Sequence, residues 1–193
     1  MQTFSRVYDS YAQAERVVRD LEGAGVPSGD ISLVANKYVS EKYAEVDDVS
    51  SAASGAGIGA AVGGGTGLLA GIGLLAIPGL GPVVAAGWLA ATAVGALAGS
   101  AVGGIIGALV GAGTSEDDAH VYSEAVRRGG TLVTVRTSQT PDRVLAILDR
   151  HQPVDPMSRR KEYEQTGWKE FDPKAPAYRP DQAEIERMRR RYD

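Results

Sequence analysis

LLAIPGLGPVVAAG, residues 74–87, lies at the middle of a run from Val49 to Ser115 in which none of the 67 residues is charged. Pro78, Gly79, Gly81 and Pro82 sit at its centre. Two prolines with two glycines break a helix, so the chain reverses here. On the N-terminal side Gly55, Gly59, Gly63, Gly67 and Gly71 stand four apart. On the C-terminal side Gly95, Gly99, Gly103, Gly107 and Gly111 do the same, with Gly87 and Ala91 extending the series. A spacing of four is helical. Both arms therefore read as helices with a glycine ridge, and residues 77–82 as the bend of a helical hairpin.

Glycine costs a helix about 1 kcal/mol relative to alanine, so nine glycines in the first arm cost on the order of 9 kcal/mol. Such a helix does not persist alone in water. Close packing has to compensate: a glycine ridge lets another backbone approach and permits Cα–H···O contacts. Ile58, Val62, Leu68, Leu97, Ile105 and Leu109 are interleaved with the glycines, which excludes a flexible linker. An arm of roughly 25 to 30 residues is about 37 to 45 Å long as a helix. That spans a hydrocarbon core of about 30 Å. The flanks are acidic (Asp47, Asp48, Glu116, Asp117, Asp118), against the usual basic flanks of inserted helices. Lipid and a second copy of the chain are both expected partners for the ridges.

Around the run the sequence alternates strands and helices. Residues 2–8 alternate like a strand, and Ser10 with Gln13 opens a helix that Gly23 and Gly25 close. Residues 30–36 read as a second strand. After the run, Ser115 caps a helix ending at Gly129-Gly130, and 131–137 form a β-branched strand. Thr140 and Pro141 then open another helix. Residues 153–155 suit a short edge strand. The expected fold class is α+β: a ferredoxin-like βαβ…βαβ sandwich, helices on one sheet face, interrupted by the long glycine-rich helical hairpin. The expected divisions are 1–48 and 114–155 for the two halves, 49–113 for the hairpin, and 156–193 for a polar tail with a short helix from Asp181. In that tail Trp168, Phe171, Tyr178 and Tyr192 suggest docking onto a partner or oligomer.

The stretches VYDSYAQAERVVRDLEGAGVPSGDISLVAN, LLAIPGLGPVVAAG and SEDDAHVYSEAVRRGGTLVTVRT together resemble the general stress protein 17M-like family over residues 1–155. The resemblance implies a bacterial protein with a small α+β domain interrupted by a glycine-zipper hairpin. It implies association with stress and brings no catalytic residues.

The remaining motifs argue against enzymatic chemistry. GTGLLA and GIGLLA mimic a dinucleotide fingerprint, but no acid follows before Glu116. His120 and His151 are 31 residues apart, without the three or four convergent ligands a metal needs. No cofactor, metal or catalytic residue is expected. The chain has no cysteine and a net charge of −4, which gives no reason to expect nucleic acid. ERMRRRY at 186–192 reads as a solvated helix end. The N-terminus lacks the pattern of a signal peptide. The expected function is a non-enzymatic, stress-associated structural protein that self-assembles through the hairpin, cytoplasmic or on the cytoplasmic side of the inner membrane. A soluble oligomer with its hairpins inside is the alternative. A small-ligand sensor using an open sheet face is a weaker third.

Overall fold

A computed structural model describes residues 1–37, 72–77, 79–89, 92, 104–138 and 140–175. Among the described residues five strands and five α-helices follow in order: β1 (Gln2–Tyr8), α1 (Tyr11–Gly23), β2 (Ile31–Asn36), β3 (Gly73–Ile77), β4 (Gly81–Gly87), α2 (Gly104–Gly111), α3 (Glu116–Arg127), β5 (Thr131–Thr137), α4 (Pro141–Arg150) and α5 (Pro156–Glu164). The fold is mixed α/β around one five-stranded sheet of order β1-β5-β2-β4-β3, antiparallel at every pairing.

Local signals place the flanking elements. The Ser10 side chain accepts the Gln13 N–H at 3.1 Å, and Ser115 accepts that of Asp118 at 3.1 Å, so both helices begin where their caps lie. Strands 2–8 and 131–137 are present as expected. Residues 153–155 contribute one backbone bond, Val154 N–H to the Val7 carbonyl at 2.8 Å, rather than a strand.

The helical reading of 73–87 is corrected. LLAIPGLGPVVAAG is a β-hairpin: β3 and β4 pair from Gly73↔Ala85 to Ile77↔Gly81, and β4 joins the sheet through β2 from Ser32↔Gly87 to Asn36↔Val83. The chain does reverse at the expected residues. The Leu80 N–H donates to the Ile77 carbonyl at 3.1 Å, and Gly79 holds the positive φ of +77° such a turn requires. Pro82 lies beyond the last β2 pair, at the start of its strand, where a missing N–H is tolerated. With its bend inside the sheet, 49–113 is not one continuous helical hairpin. Among the described residues no helix is long and apolar enough to cross a membrane.

Helices cover both sheet faces, which corrects the expectation of one. Tyr8, Leu33, Ala35, Val84, Ala86, Val133 and Val135 meet α1 and α4 on one side. Val7, Val34, Val83, Ala85 and Leu132 meet residues of α2 and α3 on the other. The open face required by a ligand-sensing reading is therefore filled. Burial on both sides also explains the uninterrupted apolar composition of β4.

The interior is rich in tyrosine. Burial raises the phenol pKa of Tyr8 and of Tyr122, and raises that of Tyr163 to about 12. The Tyr8 hydroxyl donates to the Leu148 carbonyl at 2.9 Å, tying β1 to α4. An unfolded tyrosine loses its proton near pH 10. The native state keeps it longer, so stability is intact below pH 10 and falls as pH rises toward the native values. At pH 11 Tyr163, held up to about 12, costs about 1.4 kcal/mol. Urea unfolding of wild type between pH 9 and pH 11 should show this loss, and Tyr8→Phe should lose about 1.4 kcal/mol less over the same interval. Equal losses in both proteins would show that Tyr8 is not buried as described.

Candidate functional site

Of the ten ridge glycines, Gly55, Gly59, Gly63, Gly67, Gly71, Gly95, Gly99 and Gly103 lie outside the described residues, as does Pro78 of the turn. Gly107 and Gly111 lie on α2. Gly104 opens that helix with φ +82°, a left-handed backbone that the interior of an α-helix does not adopt. Gly107 is half-buried, and a Cβ at Gly111 would meet nothing within 4 Å. Ile105, Ile106, Ala108 and Leu109 anchor α2 in the core, while Val110 is exposed.

The close backbone approaches fall elsewhere. At Gly79 a Cβ would stand 2.7 Å from the Asp172 carbonyl oxygen and 2.7 Å from Phe171 Cζ. The C-terminal segment thus lies directly on the β3–β4 turn. α5 starts at Asp155, whose carboxylate accepts the Ser158 N–H at 3.0 Å, with Pro156 in the first turn. These contacts with Ser158 hold the Asp155 carboxyl below its usual pKa. Tyr163 is buried against the α2–α3 side of the core, the Trp168 ring meets it edge-on at 5.5 Å, and Phe171 is only 2% exposed. The aromatic tail residues Trp168 and Phe171 therefore dock on their own chain. Tyr178, Tyr192 and the helix expected from Asp181 lie outside the described residues.

Polar contacts fix this clasp to α3. The Phe171 N–H donates to His120 Nδ1 at 3.1 Å, and Arg160 bonds both the carbonyl and the carboxylate of Asp117. Buried Glu124 receives Arg127 at 3.1 Å and Arg128 at 2.6 Å, and Arg128 stacks over the Tyr163 ring at 4.3 Å. A buried carboxylate persists only with such partners.

On the other side of the sheet, α1 and α4 leave a groove of about 320 Å³. Arg19, Arg143 and Arg150 line it together with Asp20, Gly23, Ala24, Ala146 and Ile147. Arg143 and Arg150 are seven residues apart, two helical turns, so one face of α4 presents both. Sequence reading missed this site because its charges come from two helices more than a hundred residues apart.

No family model, no curated protein and no solved structure matches this chain. The chemistry of its residues carries the functional reading. His120 accepts from Phe171, and His151 Nε2 pairs with Asp20 at 2.8 Å. Among the described residues no three His, Asp or Glu side chains converge as a metal would need.

Proposed function

We propose that this chain is a non-enzymatic structural protein that associates with copies of itself through its uncharged, glycine-rich run, in the stress setting that its resemblance to the general stress protein 17M-like family implies. One observation supports this most. The run is charge-free from Val49 to Ser115, yet its centre is folded as β3–β4 and its end as α2. The rest of the run is joined at both ends to a folded body. Its glycine series costs on the order of 1 kcal/mol per residue as helix, so it needs a packing surface. A second copy supplies one without exposing apolar surface to water. In this reading β1–α1–β2 and α3–β5–α4 are a ferredoxin-like core widened by the β3–β4 hairpin, and the soluble assembly is preferred over lipid insertion.

Light scattering coupled to size exclusion tests the proposal. Wild type should run at a defined multiple of 20.1 kDa. The Gly63→Leu/Gly103→Leu variant should fall to the mass of one chain with its circular dichroism retained. A wild-type protein at the mass of one chain, or a variant assembling unchanged, would refute self-association through the ridges.

A further inference from the structure

We infer that the groove between α1 and α4 is a binding site for a phosphate-bearing anion. This stands independently of the self-association proposal, because none of its residues belongs to the uncharged run. The inference begins with the arginines. Arg6, Arg127, Arg128, Arg136, Arg159 and Arg160 are each paired with a carboxylate. Arg16, Arg143 and Arg150 have no such partner among the described residues, and Arg143 and Arg150 face the same groove.

Arg19 faces them from α1, held only by Glu15 at 3.7 Å across solvent. The one acid in the lining, Asp20, is occupied by His151 Nε2 at 2.8 Å. Of the two acids of α4, Asp149 is bonded by Arg6 at 3.0 Å, and Asp142, in the first turn, is outside the lining. The lining therefore carries three positive charges against one committed negative charge, although the whole chain is at −4. A local excess of this kind draws anions to one place on the surface.

The shape fits the same ligand class. Gly23 puts no side chain into the groove, and a Cβ there would meet nothing within 4 Å. Buried Ile147 is an apolar residue of the lining. Arginine's planar fork matches phosphate oxygens two at a time, and a compact dianion can engage guanidinium groups from both helices at once. The arginines are solvent-exposed, so binding should weaken as salt is raised.

The probes are inorganic phosphate and vesicles of phosphatidylcholine carrying phosphatidic acid, tested on the full chain at low ionic strength. Arginine Nε–H resonances follow phosphate, and co-sedimentation follows vesicles. Free phosphate should shift Arg19, Arg143 and Arg150, and Arg143→Gln/Arg150→Gln should weaken binding at least tenfold while circular dichroism stays unchanged. Arg16→Gln, outside the groove, should bind as wild type. Vesicle binding without a response to phosphate, lost in the double variant, would assign the phosphate to a lipid headgroup. Binding of neither probe, or binding that the double variant retains, would overturn the site.

Discussion

Gly87→Ala should lower the unfolding free energy by about 3 kcal/mol or more, the sum of a left-handed backbone cost and a packing clash. Gly87 ends β4 at φ +87°, where an L side chain meets its own carbonyl. Its Cβ would stand 2.2 Å from the Ile31 carbonyl oxygen and 2.8 Å from Ser32 Cα. Both contacts are backbone of the neighbouring strand, so no rotamer change relieves them. The Ser32 hydroxyl donates to the Ala86 carbonyl at 2.7 Å at the same place, and separating the strands would break that bond too. Gly29 is the control: a Cβ there meets nothing within 4 Å, and Gly29→Ala should stay within about 0.5 kcal/mol of wild type. Urea unfolding of the two variants reads the difference. A Gly87→Ala protein as stable as Gly29→Ala would mean that β4 does not lie against β2 as described.

Phe171→Ala should cost about 3–5 kcal/mol, the range for removing a buried aromatic ring. Phe171 comes from a segment that reads as polar, yet it is 2% exposed and sits on the β3–β4 turn. Its loss removes the apolar anchor that brings its own N–H to His120 and leaves Tyr163 and Trp168 to hold the clasp. Limited proteolysis should then cut after residues 159–169 faster than in wild type, while the β1–α1–β2 portion stays protected. Unchanged stability together with unchanged cleavage would show that the segment does not cover this face.

Periodicity was sufficient where one face of an element is buried and its ends are marked. Tyr11, Ala14, Val18 and Leu21 form a helical stripe behind the Ser10 cap, and α1 follows them. The helical expectation for β3 and β4 fails for a physical reason. A strand buried on both faces shows no alternation, and a short apolar run cannot be told from a buried helix by period. The glycine spacing of four then extended the helical reading through Gly87, whose actual role is a backbone approach to Ile31. The signals available were Val83-Val84 and the short apolar runs on either side of the PGLG turn. α5 carries no apolar stripe in the sequence, because Tyr163 is its one buried residue. Asp155 followed by Pro156 was the cue to its start. The arginine groove required the tertiary fold, since nothing in sequence brings Arg19 beside Arg143.

A disulfide between Leu33→Cys and Ala86→Cys tests most directly whether LLAIPGLGPVVAAG is a β-hairpin in the sheet. The chain has no cysteine of its own, and these two positions are paired across β2 and β4. Paired positions in antiparallel strands lie about 4.5–5.5 Å apart, within disulfide reach. Mild oxidation should close an intrachain bond, detected as a mass loss of two hydrogens. Leu33→Cys/Ala85→Cys, with side chains on opposite faces, should stay reduced. If the first pair stays reduced or links only between chains, residues 81–87 are not the strand beside β2, and the helical hairpin returns in its place.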